Sequence, residues 1–139
     1  RTNIRHLTAG QVPEPVDFFS IDISFISLTL ALPVVRRHLR DGAGGVCLIK
    51  PQFEAGREKV GKHGVVRDAA VQEEVIHKIA EFAPTAGFVP AGLDFSPVKG
   101  PEGNIEYLFY LKTACNAGPE LFTIETVVQN AHRTLNGTA

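Results

Sequence analysis

In Val46-Cys47-Leu48-Ile49-Lys50-Pro51-Gln52-Phe53-Glu54 an unbroken apolar run of four residues ends on Lys50. Four apolar residues without alternation read as a short strand buried on both faces, the habit of a parallel sheet. Pro51 keeps Lys50 extended, at the strand's carboxyl end. Two other runs share this form. Asp22 interrupts Phe18-Phe19-Ser20-Ile21-Asp22-Ile23-Ser24-Phe25-Ile26-Ser27, and Glu106 interrupts Gly103-Asn104-Ile105-Glu106-Tyr107-Leu108-Phe109-Tyr110-Leu111. A charge beside a buried strand is costly unless it is paired or used. Three such charges imply one polar site at one edge of a sheet. An aspartate, a lysine and a glutamate form a set that can handle protons.

The rest of the chain can be laid out from these runs. Residues 17–23 read as a strand, and 27–40 as a helix in which Leu28, Leu32, Val35 and Leu39 share a face. Pro33 either kinks that helix or marks its start. Arg36, Arg37 and Arg40 suit its C-terminal dipole, and residues 41–45 supply capping glycines. Residues 51–66 form a long basic loop. Asp68 can cap a helix over 69–86, with Val71, Val75, Ile79 and Phe82 facing the core. Strands follow over 88–95 and 105–112, joined by a turn-rich loop. A last helix spans 120–135, docked through Phe122, Val127 and Ala131. Alternating strands and helices imply an α/β fold with a mostly parallel sheet. The short loop between the last two strands makes one of them antiparallel.

Composition excludes several classes. The 139 residues fit one domain, and 44% hydrophobic with 21% charged is ordinary for a globular protein. A formal net charge of −1 leaves nucleic-acid binding to local clusters. Cys47 and Cys115 lie far apart, with no disulfide or metal spacing, so a reducing cytoplasmic setting is expected. His6, His38, His77 and His132 show no ligand pattern. The longest apolar stretch, residues 25–35, falls short of the about 20 residues that span a bilayer, so no membrane partner is expected. Methionine is absent, and the chain is expected to be a piece of a longer protein.

Each site residue has a plainer alternative. Asp22 can be a helix cap, Lys50 a surface lysine lying along apolar atoms, and Glu106 a structural salt-bridge partner. Gly56-Arg57-Glu58-Lys59-Val60-Gly61-Lys62-His63 nearly matches a phosphate-binding loop, but His63 stands where a magnesium-binding hydroxyl is required. A mobile basic lid is the expected role of this segment.

Taken together, residues 22–28, 50–54, 61–68 and 96–108 resemble the TlyA/haemolysin A family, within the FtsJ-like ribose 2′-O-methyltransferases. The similarity runs from residue 1 to about residue 112. It implies the C-terminal half of a Rossmann-like, S-adenosylmethionine-dependent methyltransferase fold over residues 1–139, with 113–139 a linker and helix. It further implies ribosomal RNA, or a ribosomal subunit, as partner. Asp22, Lys50 and Glu106 match the second, third and fourth members of a Lys-Asp-Lys-Glu tetrad, whose first lysine would lie upstream of residue 1. Asn3 would approach the cofactor's adenine, with Asp22 also on the cofactor side. Arg57, Lys59, Lys62 and Arg67 would contact RNA phosphates. The S4-type domain and glycine-rich cofactor loop of the family have no counterpart in this sequence. A fragment of this kind is expected to be inactive alone and to expose a sheet edge that invites a homo-oligomer. A membrane-active haemolysin and a non-catalytic RNA-binding protein are the alternatives.

Overall fold

The computed structural model of the chain describes residues 16–113 and 122–137. Four strands form one sheet: β1 (Val16–Ile21), β2 (Leu39–Ile49), β3 (Val89–Phe95) and β4 (Tyr107–Lys112), in the order β1-β2-β4-β3. β1 and β2 are parallel, with Ile21 opposite Cys47. β4 runs antiparallel to both of its neighbours, so that Phe109 lies between Cys47 and Leu93. The sheet is therefore mostly parallel in direction with one reversed strand, as the sequence implies. The ends of β1, β2 and β3 and the start of β4 share one edge.

The helices are α1 (Leu28–Arg36), the single turn α2 (Pro51–Glu54), α3 (Ala69–Phe82) and α4 (Ile124–Asn136). α1 packs on β2 and α3, and α4 packs on α3 and β3. Together they cover one face of the sheet. Phe19, Ile21, Cys47, Ile49, Tyr107, Phe109 and Leu111 point into that core. Burial raises the Cys47 thiol to about 12. The opposite face keeps Phe18 and Tyr110 exposed and Val46, Leu48 and Leu108 half-buried. The expectation of strands buried on both faces is thus corrected among the described residues.

Ser27 caps α1 by accepting the Thr29 N–H at 3.0 Å, and the helix continues through Pro33. It stops at Arg36, short of the expected residue 40. The cause lies in Leu39, which is claimed by the sheet and pairs with Val16. Arg40 and the glycine run 42–45 consequently lie in β2 rather than in a helix cap. Gly45 is required there, because any Cβ would strike the Phe19 ring and carbonyl. Asp68 caps α3 as expected, bonding Ala70 N at 2.9 Å. A 3-10 turn, Ala83–Ala86, extends that helix to a left-handed Gly87.

The long basic segment is also revised. It folds into α2 and two 3-10 turns, Arg57–Lys59 and Lys62–Gly64, which are bonded to their surroundings. Lys59 pairs with Glu74 on α3, and this bond raises the Lys59 pKa. Asn104, 2% exposed, donates to Gly64 O and Pro101 O and accepts from Val66 N, each at 3.0 Å. A buried amide that satisfies three backbone groups fixes two loops to each other. A lid hanging free is not what these bonds describe. Nor is this a phosphate loop, since no helix follows it directly and His63 takes a left-handed φ of 62°.

Candidate active site

Asp22 follows β1 directly, and Lys50 follows β2. Because the two strands are parallel neighbours, both side chains leave the same edge side by side. Lys50 Nζ forms an ion pair with Asp22 Oδ1 and lies 3.4 Å from Ser24 Oγ. The lysine side chain is 11% exposed and the aspartate 71%. A mostly buried ammonium held by an open carboxylate has its head fixed.

Glu106 immediately precedes β4 and is buried. Its Oε2 accepts from Gln52 Nε2 at 2.9 Å. The ion pair to Lys50 that the sequence allows is replaced by this amide, which stands two residues beyond Lys50. Gly100 packs so closely on the Glu106 carboxylate that a Cβ there would collide with it. Gln52 Oε1 is buried without a hydrogen-bond partner among the described residues, so an unmet acceptor also faces this site.

The structure brings Asp22, Lys50 and Glu106 to one edge. Asn3 lies outside the described residues. Arg57, Lys62 and Arg67 are exposed on the neighbouring turns without a carboxylate partner among the described residues, whereas Lys59 is held by Glu74.

Residue-by-residue reading overlooked three groups. Glu54 is buried, accepts from Ser27 Oγ at 2.6 Å and from Leu28 N at 2.9 Å, and so caps α1 from the segment after Lys50. Burial raises its pKa against the opposing pull of those two bonds and Lys78. Ser24 steadies Lys50. Phe25 is 85% exposed at a left-handed φ of 70° and contacts Phe53, ring centroids 4.8 Å apart. A bulky residue with positive φ stores strain, and such strain gathers at functional sites. The available signal was position: all three stand inside the Asp22 and Lys50 runs.

A family model described as FtsJ-like methyltransferase matches residues 1–113. The Bacillus subtilis protein named "Putative rRNA methyltransferase YqxC" is 45% identical over 140 residues, covering 97% of this chain and 50% of that protein. The 16S/23S rRNA (cytidine-2′-O)-methyltransferase TlyA of Mycobacterium tuberculosis is 37% identical over 131 residues, 94% of this chain and 49% of its own length. A solved structure described as "Putative hemolysin from Streptococcus thermophilus" superposes with a TM-score of 0.91 at 40% identity, covering 98% of this chain and 50% of that one. The chain thus spans about half the length of the curated relatives it matches. Among the described residues no helix is long and apolar enough to cross a membrane. The fold, the matched family model and these relatives together place the chain in the FtsJ-like methyltransferase family, in the branch that holds TlyA and the hemolysin-named proteins.

Proposed function

We propose that this site serves methyl transfer from S-adenosylmethionine to a ribose 2′-hydroxyl of ribosomal RNA. The supporting observation is the buried Lys50 paired with an open Asp22 at adjacent strand ends, with Glu106 at the same edge. On this reading the activity belongs to the longer protein that the relatives' lengths imply, acting in the cytoplasm, and this half alone is inactive. β1 is an edge strand among the described residues, and on this reading its outer side pairs with the other half, or with a second copy when that half is missing.

The chemistry of the residues fits the cofactor. A largely exposed carboxylate at Asp22 is available to a cationic donor. S-adenosylmethionine, when bound, supplies a methyl group on a positively charged sulfur. Lys50 would direct its ammonium at the ribose oxygen and stabilise negative charge there while the hydroxyl proton passes to solvent water. Asp22 and Ser24 hold that ammonium in place. Glu106, bonded to Gln52 through one oxygen, uses the other for the tetrad's remaining lysine. Holding the hydroxyl in line with the methyl then supplies much of the rate. The Phe25–Phe53 pair offers a face on which a base stacks, while Arg57, Lys62 and Arg67 meet phosphates.

The test uses the full-length protein with labelled cofactor and ribosomal subunits. Lys50→Ala and Lys50→Met should lower methyl incorporation at least about 100-fold, in the range of lost charge stabilisation, with melting unchanged. The product should resist alkaline cleavage at one ribose. Undiminished transfer, or a methyl found on a base, overturns the proposal.

A further inference from the structure

A cavity of about 340 Å³ lies between the segment at residues 65–67, the loop at 99–105 and the end of α4. Its wall carries Arg67, Lys99, Glu102, His132 and Asn136, with Gln72 beneath. None of the tetrad residues lines it. Arg67 and Lys99 are exposed and have no carboxylate partner among the described residues, so the wall holds two uncommitted cations against one glutamate.

The floor is polar but uncharged. Gln72, 1% exposed, donates to Val66 O at 3.0 Å and accepts from Tyr107 Oη and, at 2.9 Å, from His132 Nε2. Burial lowers the His132 pKa, which favours the neutral ring. An anion entering here meets its counter-charge at Arg67 and Lys99, while Glu73 and Asp68, which do not line the cavity, also act on His132. Asn104 ties both cation-bearing loops together before any ligand arrives, and fixed donors bind with less ordering cost.

The cavity's position limits which anion it can take. Both loops leave the sheet at the edge that carries Lys50 and Glu106. Gly100, within the loop at 99–105, packs on the Glu106 carboxylate, while its neighbours Lys99 and Glu102 line the cavity. One loop thus separates the tetrad site from the cavity. We propose that this cavity receives a backbone phosphate of the RNA substrate, close to the nucleotide being methylated. The proposal rests on the RNA reading above. It gives α4 a binding role through His132 and Asn136, and gives Lys99 one that its sequence surroundings do not suggest.

The test is phosphate-ethylation interference on ribosomal RNA with the full-length protein, beside an Arg67→Gln/Lys99→Gln double variant and a Lys99→Glu variant. Wild type should show a phosphate near the methylated ribose whose ethylation blocks binding. The double variant should lose that interference, bind RNA about tenfold more weakly, and reduce the salt slope by about 1. Both positions are exposed, and an unchanged melting temperature confirms folding. Interference retained in the double variant, unchanged affinity, or binding of inorganic phosphate without any RNA effect overturns the proposal. RNA binding that depends on Arg67 and Lys99 without ribose methylation would sustain the cavity while defeating the methyltransferase reading. Methylation with an indifferent double variant would do the reverse.

Discussion

Ser27 donates its hydroxyl to Glu54 Oε1 over 2.6 Å, joining the helix that follows Asp22 to the turn that follows Lys50. Asp22 and Lys50 are thereby held in register by a bond that neither of them makes. Burial keeps the Glu54 pKa above its ordinary value of 4.5. A raised carboxyl means that the folded state holds its proton more tightly than the unfolded chain. Its stabilising contribution is complete below the ordinary value and is lost as pH rises through the folded one. Glu54→Gln imitates the protonated form. Thermal melts across pH should show wild type losing stability relative to Glu54→Gln as pH rises above about 4.5. A difference that does not change with pH would rule this account out. Glu54→Ala leaves the buried Leu28 N–H unpaired and should cost about 1–3 kcal/mol throughout.

Phe25 separates two effects that a single alanine substitution would mix. Phe25→Ala and Phe25→Gly both remove the exposed ring, and both should weaken RNA binding by about 1–3 kcal/mol if one base stacks there. Only glycine accepts the φ of 70° without strain. Phe25→Gly should therefore be about 1 kcal/mol more stable than Phe25→Ala. Chemical denaturation of the pair gives the stability term, and filter binding gives the other. Equal stability would mean that the strain at Phe25 is negligible.

Two glycines test site and scaffold separately. A methyl at Gly100 meets the Glu106 carboxylate, which is buried and bonded to Gln52. Gly100→Ala should displace that carboxylate and reduce methyl transfer with a small change in melting. A methyl at Gly45 meets backbone as well as ring at Phe19. Gly45→Ala should destabilise the fold by about 1–3 kcal/mol. The reverse pattern, with Gly100→Ala the less stable and fully active, would contradict the packing described.

Cys47 is buried, and its thiol is raised to about 12. The thiolate is the reactive form. Iodoacetamide should modify the Cys47 peptide only as fast as the protein unfolds, as mass spectrometry of the digest can follow. Prompt labelling of native protein would show that the strand opens readily.

The strand-end charges were legible because a lone Asp, Lys or Glu in an apolar run breaks a strong local pattern. β4 between β2 and β3 was legible in direction because a short loop permits little else. The end of α1 was not. Helical spacing continues through Leu39, and only pairing with Val16, a contact remote in sequence, draws that residue into β2. Glu54 and Gln52 were visible as letters but not as partners, since their bonds reach Ser27, Leu28 and Glu106 through the tertiary fold. The Gln72–Tyr107–His132 cluster was hidden for the same reason. Helical spacing marks Val71 and Val75, and a glutamine between them reads as surface.

The strand order β1-β2-β4-β3 has a consequence for synthesis. The chain leaves the ribosome in sequence order, so β3 emerges before β4, its partner among the described residues. β2 likewise waits with one side open until Phe109 and its neighbours arrive opposite Cys47. Distant pairings of this kind form late and slowly. The short connection lets β3 and β4 pair as a hairpin, and β4 is the strand that joins them to β2. Pairing of β4 with β2 also carries Glu106 to Gln52, so the sheet and the cluster at its strand ends are completed together.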